Sequence, residues 1–381
     1  MEEWKTYRLE EIGTIITGKT PSTKNPDNYG GDIHFITPGD LCTGNKHILF
    51  TNRNISASGL SSIKGSILPK GAVCVSCIGN LGYTGIATMQ CASNQQINSI
   101  IVNPNHNPEF IYYVIKHMWP IFKSLEGQST ALSILNKSQF SKLEVALPNK
   151  NTQDRIASIL SSFDNKIELN NRINHNLEEQ MDSLFNILCV EIEDYTEASL
   201  TEIADYINGL AMQKFPVQES EIGLPVLKIK ELGQGFCDES SDRCTGEIKP
   251  DSIIHDGDIV FSWSGTLLVD MWCGGTCGLN QHLYKVQSNK YPKWFYYLWT
   301  KYHLENFIHI AKDKAVTMGH IKRGHLENAI IRIPSAETFG SLDKIFSPLL
   351  EQILKSRLEN RKLQEERDLL LPHLMSGEIT C

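Results

Sequence analysis

The chain has 381 residues, of which 41% are apolar and 21% are charged, and its formal net charge is −8. This length suggests two domains, each able to bury its own core, and the ordinary composition excludes a disordered or fibrous protein. No apolar run is long enough to cross a membrane and the N-terminus has no apolar signal region, so we expect a cytoplasmic protein without a membrane span. Ten scattered cysteines fit a reducing compartment.

The first motif along the chain is GTIITGKT at residues 13–20, which matches the phosphate-binding pattern G-x-x-x-x-G-K-T. Its neighbours do not suit a phosphate loop, because the residues before it are mostly charged and PSTKNPDNYGG after it predicts a turn and not a helix. The β-branched residues Ile15 and Ile16 favour an extended strand. We therefore interpret this stretch as a strand followed by a loop.

The whole sequence is a tandem repeat of one unit. Leu9–Ile12 (LEEI) returns as Leu200–Ile203 (LTEI) after 191 residues, and CASNQ at 91–95 returns as CGLNQ at 277–281 after 186 residues. A tandem repeat of this period predicts two related domains, each followed by a related helical segment. The predicted parts are a first domain (1–147), a first spacer helix (148–195), a second domain (196–333) and a second spacer helix (334–381).

Short β-branched runs punctuated by Gly, Asn and Pro predict strands in both domains, with one helix in each. The strands are GTIIT (13–17), AVCVSCIG (72–79), INSIIVN (97–103), DIVFSWSG (258–265) and HLYKVQ (282–287), and the helices are EFIYYVIKHMW (109–119) and KWFYYLWTKYH (293–303). These patterns predict an α+β protein with two mixed α/β domains in tandem.

Two cysteine pairs, Cys74 with Cys77 and Cys273 with Cys277, could be zinc ligands or buried small hydrophobes. VCVSCIG is strand-like, so the thiols of Cys74 and Cys77 should face opposite sides of a sheet. We therefore predict no metal site.

Both spacer segments show apolar residues that step by four and three, which is typical of a coiled-coil seam. The positions are Ile156, Leu160, Phe163, Ile167, Leu177, Met181, Leu184 and Leu188 in the first segment and, 186 residues later, Leu342, Phe346, Leu349, Ile353, Leu363, Arg367, Leu370 and Leu374. Ser347-Pro348 resembles a helix start. We therefore predict a short and then a long helix in each segment, with the first long helix at 162–188.

A polar pair interrupts each seam at its middle, Asn170 and Asn174 in the first copy and Ser356 and Asn360 in the second. Buried polar residues fix register, because a shifted helix buries an amide without a partner. We predict that the helices pair antiparallel, with 170 and 174 near 360 and 356, in approximate twofold symmetry. The alternative is that each helix packs on its own domain and these residues face water.

Two unlike domains, each followed by a similar long helix, resemble the specificity (S) subunit of type I restriction-modification systems. The residues that carry the resemblance are LPNKNTQDRIASILSSFDNKIELNNRINHNLEEQMDSLF (147–185), LLLPHLMSGEI (369–379), ITGKTPS (16–22) and GGDIHFITPGDL (30–41). The second copy departs from the pattern, because it lacks the T-P-S opening and has SAETFGSLDKIF (335–346) in place of QDRIASIL (153–160).

The resemblance implies that each domain reads one half of a split sequence in double-stranded DNA. It further implies that the helices act as a spacer and as the docking surface for two methyltransferase (M) subunits, while restriction and motor (R) subunits belong to the same system. No cofactor is expected in this chain; S-adenosylmethionine would bind the M subunits, and ATP and Mg would bind the motor subunit. The chain would be no enzyme by itself.

The four predicted parts carry net charges of +2, −5, −3 and −2 in chain order, so the deficit lies mostly outside the first domain. DNA affinity needs a local basic face, and we expect weak DNA binding by this chain alone. Groove contacts are predicted from polar and basic loop residues. They are Lys19, Thr20, Ser22, Lys24, Gln128, Ser129 and Thr130 in the first domain and Gln213, Lys214, Lys312, Lys314 and Thr317 in the second.

Asn94-Gln95 and Asn280-Gln281 are identical in both copies, which favours a structural turn, since domains that read different sequences should differ where they read. His175 and His320 lack a partner at catalytic spacing and are interpreted as surface or core residues. The remaining alternative is a coiled-coil adaptor whose two domains bind proteins instead of DNA.

Overall fold

The computed structural model describes residues 4–42, 44–127, 133–219, 221–313 and 319–379. Among these residues the chain forms two compact units, the first from Met1–Glu168 with Leu363–Cys381 and the second from Leu169–Lys362. Each unit holds one domain and a part of each long helix. The four-part division by residue number stays a prediction.

The first domain contains eleven strands among the described residues. They are β1 (Lys5–Arg8), β2 (Gly13–Thr17), β3 (Tyr29–Ile36), β4 (His47–Ile48), β5 (Asn54–Ile55), β6 (Ile67–Leu68), β7 (Val73–Ser76), β8 (Thr84–Ala87), β9 (Cys91–Ser93), β10 (Ile97–Val102) and β11 (Glu144–Leu147). The sheets have the strand orders β2-β10-β7-β8-β4 and β5-β3-β9-β6, and β1 pairs with β11. The last pairing joins the start of the domain to its end.

Seven α-helices lie in or start from the described part of this domain. They are α1 (Leu9–Ile12), α2 (Pro38–Leu41), α3 (Ala57–Ser62), α4 (Pro108–His117), α5 (Trp119–Gly127), α6 (Lys137–Ser141) and α7 (Lys150–Phe185). Helix α4 fulfils its sequence prediction, with Asn107 as the N-cap. Its residues Phe110 to Ile115 are buried in one cluster with Val73 and Ile100 of the sheet and Ile156 and Leu160 of α7. The core of the first unit therefore runs from the sheet through α4 to α7.

The second domain repeats this plan with ten strands in the segments that the structure describes. They are β12 (Tyr195–Ser199), β13 (Asp205–Asn208), β14 (Leu224–Leu227), β15 (Arg243–Cys244), β16 (Ile253–Ile254), β17 (Ile259–Ser262), β18 (Leu268–Met271), β19 (Cys277–Leu279), β20 (Leu283–Gln287) and β21 (Ile330–Pro334). The sheets have the orders β13-β20-β17-β18 and β15-β14-β19-β16, and β12 pairs with β21. The helices are α8 (Leu200–Ile203), α9 (Ile229–Gln234), α10 (Lys293–Asp313), α11 (Arg323–Glu327) and α12 (Ala336–Met375).

The stretch that matches a phosphate loop is a strand. Residues Gly13 to Thr17 form β2, which pairs antiparallel with β10, and the same arrangement places β13 beside β20 in the second domain. No helix follows within the described residues up to Pro26, where a 3₁₀ turn begins. This confirms the interpretation as a strand and a loop.

The predicted break between a short and a long helix is wrong in both copies. Helix α7 is continuous from Lys150 to Phe185 and ends in a π turn, Asn186–Val190, while α12 is continuous from Ala336 to Met375. Ser347 is no helix cap, because its hydroxyl donates to Asp343 Oδ1 within the same helix. The exposed Pro348 removes only one backbone donor, and burial of the neighbouring apolar residues outweighs that loss.

Within each unit the two long helices run antiparallel. In the first unit Ile156 and Leu160 share a core cluster with Leu371 and Leu374, and Asp164 is bonded to Arg367. In the second unit Asn170 is bonded to Asn360 and Glu178 to Arg357. Residue numbers rise along α7 as they fall along α12, which confirms the antiparallel pairing.

The pair Cys74 and Cys77 follows the strand interpretation. Cys74 lies in the cluster that contains Ile36, Leu41 and Ile48, whereas Cys77 lies in the cluster on the other side of the sheet. Burial raises the pKa of the Cys74 thiol to about 11, so the thiol stays protonated. Across the described segments no helix is both long enough and apolar enough to span a membrane.

Candidate nucleic-acid interface

Several loops converge at one end of the central sheet in each domain. In the first domain the N–H of Gly18, just after β2, donates to Ile97 O, and in the second domain the N–H of Gly209, just after β13, donates to Leu283 O. A Cβ atom at Gly18 would lie 2.1 Å from Asn94 O, and one at Gly209 would lie 2.2 Å from Asn280 O. Both positions therefore exclude any side chain, because the loop passes directly over the next turn.

A second segment closes this end of the sheet in the same way in both domains. Gly79 N–H donates to Ser133 O at 2.9 Å, and the equivalent Gly265 N–H donates to Gly319 O at 3.1 Å. Leu135 N–H then donates to Cys77 O, as Ile321 N–H does to Trp263 O. This end of the sheet therefore has the same backbone hydrogen bonds in both copies. We call it the loop end, and it is defined by Gly18, Gly79 and Leu135 in the first domain and by Gly209, Gly265 and Ile321 in the second.

Apart from the repeated Asn-Gln pair, the side chains at the loop end differ between the domains. In the second domain Trp263 is surrounded by His282, Tyr284 and His320, with ring centroids 5.7 to 6.3 Å away, and its indole N–H donates to Asn208 Oδ1 at 3.2 Å. We call these five residues the aromatic group. Burial raises the pKa of Tyr284, which keeps its hydroxyl neutral. The group presents ring faces with polar edges.

The first domain has small polar and aliphatic residues at the five equivalent places. Thr17 and Asn98 stand where Asn208 and Tyr284 stand in the second domain, as the registers β2–β10 and β13–β20 show. Thr17 Oγ1 donates to Asn98 Oδ1 at 2.6 Å, and Asn98 Nδ2 donates to Leu135 O at 3.4 Å. The other equivalents are Cys77 for Trp263, Gln96 for His282 and Ile134 for His320.

The predicted contact residues of the first domain lie in the loop that leaves β2. Lys19, Ser22 and Lys24 are exposed, and Thr20 is half-buried with its hydroxyl donating to Gln95 Oε1 at 2.6 Å. That bond brings the loop against the Asn94-Gln95 turn. Gln128, Ser129 and Thr130 lie outside the described residues, which resume at Ser133 beside Gly79.

In the second domain Gln213 and Lys214 are exposed on a 3₁₀ turn, Met212–Lys214, shortly after Gly209. Gln213 lines a cavity of about 560 Å³ together with Lys228, Arg243, Gln281 and His282. Lys312 is exposed near the end of α10 and lines a second hollow with Gly265 and Gly319. Lys314 and Thr317 lie outside the described residues.

The repeated Asn-Gln pair forms a turn in each domain. Asn94 Oδ1 accepts a bond from Gln96 N–H, and Asn280 Oδ1 accepts one from His282 N–H. Both asparagines are buried, and each side chain accepts a hydrogen bond from the backbone N–H two residues later, which stabilises the turn. This geometry accords with the structural interpretation of the pair.

A family model for the type I restriction modification DNA specificity domain matches residues 1–179 and again 192–366. The chain belongs to this family. The two matches correspond to the two copies of the repeat, each including one domain and most of one long helix.

Relatives in the specificity-domain family cover the chain to different extents. The type I restriction enzyme MjaIX specificity subunit of Methanocaldococcus jannaschii is 27% identical over 99% of this chain and 94% of its own. The HindI specificity subunit of Haemophilus influenzae is 36% identical over 43% of this chain and 37% of its own. The crystal structure of an S subunit from M. genitalium has the same fold, with a TM-score of 0.56, 16% identity and coverage of 98% and 96%.

The predicted register residues are buried at the helix seam of the second unit. Asn170 Nδ2 donates to Asn360 Oδ1 at 2.8 Å, and Asn360 Nδ2 donates to Asn171 Oδ1 at 2.7 Å. Asn174 and Ser356 are buried as well, and Ser356 Oγ accepts from Gln352. Their burial contradicts the alternative in which these residues face water.

The aromatic group was missed from the sequence, except that His320 was interpreted as a surface or core residue. His320 is exposed, and its ring centroid lies 6.3 Å from that of Trp263. His175 is exposed on α7 and contacts Glu179. The available signal was the repeat itself, because an alignment of equivalent positions shows aromatic residues in one copy only. Within the described residues no cluster of three or more His, Cys, Asp and Glu side chains could hold a metal ion.

Proposed function

We propose that this chain is the DNA-recognition subunit of a type I restriction-modification complex and that each domain reads one half of a bipartite target in double-stranded DNA. The observation that carries the proposal is the loop end, where one backbone design presents different side chains in the two domains. A surface that keeps its geometry and changes its chemistry suits the reading of two different sequences.

The chemistry of the two loop ends supports different base preferences. In the second domain Gln213 and His282 offer hydrogen-bonding groups around the 560 Å³ cavity, and Trp263 offers an apolar face for a thymine methyl group. In the first domain Lys19 and Thr20 offer ammonium and hydroxyl groups without an aromatic face. Lysines suit guanine edges and phosphates, and amides suit adenine edges.

The proposed complex supplies what this chain lacks. Two methyltransferase (M) subunits would dock on the long helices and carry S-adenosylmethionine, and restriction and motor (R) subunits would carry ATP and Mg. This chain would act without a cofactor and without catalytic activity of its own, in the cytoplasm. Because its net charge is −8, most phosphate neutralisation would come from the M subunits, and the isolated chain would bind DNA weakly.

The long helices support a role as the spacer between half-sites. Both α7 and α12 are continuous and contribute residues to both compact units. Four inserted residues lengthen a helix by about 6 Å, which corresponds to roughly two base pairs of DNA. Inserting four residues after Lys166 and four after Arg361 should therefore lengthen the spacer of the target while leaving both half-sites unchanged.

Methylome sequencing of cells that carry this chain with its M subunit tests the proposal. We expect methylation at one bipartite sequence, and the double insertion should change only its spacer. Unchanged spacing with altered bases would contradict the spacer role. If the chain did not co-purify with a methyltransferase and no methylation depended on it, the adaptor alternative would replace the proposal.

A further inference from the structure

The seam between the long helices contains a buried ion pair in the first unit. Arg367 Nη1 donates to Asp164 Oδ1, and only 6% and 3% of the two side chains are exposed. Tyr113 on α4 donates its hydroxyl to the other carboxylate oxygen of Asp164 at 2.5 Å. Arg367 also contacts the exposed Asp368. The carboxylate of Asp164 is therefore bonded to one cation and one hydroxyl, and the charge of Lys116 on α4 also acts on it.

The two equivalent residues in the second unit are apolar. A displacement of 186 residues relates Asp164 to Leu350 and Arg367 to Met181. Leu350 and Met181 are buried in one cluster and line the same small cavity of about 10 Å³. The tyrosine is retained as Tyr297, and an apolar Leu–Met pair stands where the first unit has an ion pair. Charged side chains from both long helices and from α10 line the same cavity, namely Glu178, Asp182, Lys301 and Arg357. The equivalent positions of the two repeats thus hold an ion pair in the first unit and two apolar side chains in the second.

This difference decides which helices can pair. If α7 paired with α7 of a second copy in the same geometry, Asp164 would face Met181 of that copy. If α12 paired with a second α12, Arg367 would face Leu350 and would keep only the exposed Asp368. A buried charge without its partner is costly, whereas two apolar residues tolerate each other. Each like pairing therefore loses the ion pair and leaves its charged members against apolar side chains.

A second contact adds to the same preference. Arg357 Nη2 donates to Glu178 Oε1 at 2.8 Å in the second unit, and the equivalent residues are Asn171 and Gln364. Like pairing would replace this ion pair by a charge against an amide, which is a smaller loss because an amide can donate or accept. The Asn170 and Asn360 contact does not discriminate, since Asn174 and Ser356 at the equivalent places are also small polar residues.

We propose that the Asp164–Arg367 ion pair is a pairing filter that makes the helix of one repeat accept the helix of the other repeat and reject a second copy of itself. The partner that fits α7 is α12, with Arg opposite Asp and Leu opposite Met. The filter keeps two unlike domains together and prevents assemblies with two identical ones. It does not depend on DNA binding.

The test uses the full chain opened by a protease at a cleavage site placed between Ile192 and Glu193, in the segment between α7 and β12. All residues are retained after cleavage. The opened protein is unfolded in urea and refolded by dilution, and the masses of the complexes are measured by native mass spectrometry. The filter predicts complexes of one N-terminal with one C-terminal piece, without detectable pairs of like pieces.

The decisive variant combines Asp164→Leu with Arg367→Met, which gives the first unit the residues of the second. We expect this variant to fold and its fraction of like pairs to rise by at least about tenfold, toward random pairing. The charge-reversed variant, Asp164→Arg with Arg367→Asp, should still form only unlike pairs. If the apolar variant did not refold, Asp164→Asn with Arg367→Gln would remove the charges with less change of shape and should give the same rise.

Two results would overturn the filter. One is the formation of like pairs by the opened unmodified chain. The other is exclusive unlike pairing by both neutral variants, because the selectivity would then reside elsewhere in the helices. Neither readout involves methylation or DNA, so these results are independent of the proposed function.

Discussion

The loop ends of the two domains share their backbone hydrogen bonds and differ in most of their side chains. Gly18 and Gly209, Gly79 and Gly265, and Leu135 and Ile321 make equivalent backbone hydrogen bonds, yet the residues around Cys77 in one domain and Trp263 in the other share no chemistry. The helix seam shows the same contrast between an ion pair and an apolar pair. The backbone of the loop end is thus preserved, whereas other parts differ, because the first central sheet has a fifth strand, β4, and α4 and α5 stand where the second domain has the single helix α10.

The largest expected effect comes from breaking the ion pair at one end of the seam. Arg367→Met leaves the carboxylate of Asp164 buried without its ion-pair partner, and we expect the free energy of unfolding to fall by about 3–5 kcal/mol. Adding Asp164→Leu should recover most of that loss, because the site then matches Met181 and Leu350. Urea denaturation measures both. A loss in the double variant as large as in the single variant would show that the two ends are not equivalent.

The aromatic group offers a test of the difference between the domains. Trp263→Ala should weaken discrimination at one half-site by about 1–3 kcal/mol, or roughly five- to hundredfold in relative methylation rate, because an apolar base contact is lost. The other half-site is the internal control and should be unchanged. Methylation of a library randomised in both half-sites, with M subunits present, measures this. Equal loss at both half-sites would contradict separate reading by the two domains.

The shared geometry predicts equal costs at two glycines. Gly18→Ala and Gly209→Ala each place a methyl group within about 2.2 Å of a backbone carbonyl oxygen, and each should cost about 1–3 kcal/mol of stability. Gly65→Ala and Gly246→Ala are matched controls, since a Cβ atom at either position meets no atom within 4 Å. Thermal unfolding of the four variants compares them. A large cost at only one of Gly18 and Gly209 would break the equivalence.

The smallest effect concerns pH. Burial raises the pKa of Asp256, but hydrogen bonds from Arg361 and the Gly275 N–H outweigh it and hold the pKa below its usual value. A lowered carboxyl pKa contributes stability that is present above the unfolded-state pKa and is lost as the pH falls through the folded-state pKa. The pair is partly exposed, so we expect less than about 1 kcal/mol.

Asp256→Asn should therefore flatten the loss of stability on acidification, measured by urea denaturation at a series of pH values. Lys70 occupies the equivalent place in the first domain and cannot form the same pair. Lys70→Gln is the matched control and should leave the acid dependence unchanged. If the free energy of unfolding of Asp256→Asn fell with pH as steeply as that of the unmodified chain, the acid dependence would belong to other carboxylates.

Local patterns predicted most elements of the fold. Alternating β-branched runs located β2, β7, β10, β17 and β20, and the heptad positions located both long helices, because these signals depend on neighbouring residues alone. The break at Ser347-Pro348 was wrong because local helix-start signals ignore the tertiary burial that keeps α12 continuous. Asp164 was missed because Phe163 fitted the heptad, although packing on α4 turns Asp164 inward.

The sequence by itself determined that the chain is a tandem repeat with two mixed domains and two long helices, each with a polar centre, and it predicted that the helices pair antiparallel. Repetition and periodicity are properties of the order of residues, so they can be read without coordinates. Only the tertiary structure decided that Trp263, His282 and His320 meet at one loop end and that Asp164 meets Arg367. Such contacts join residues up to 203 positions apart, and their chemistry depends on where the folded backbone places each side chain and on how much water it excludes.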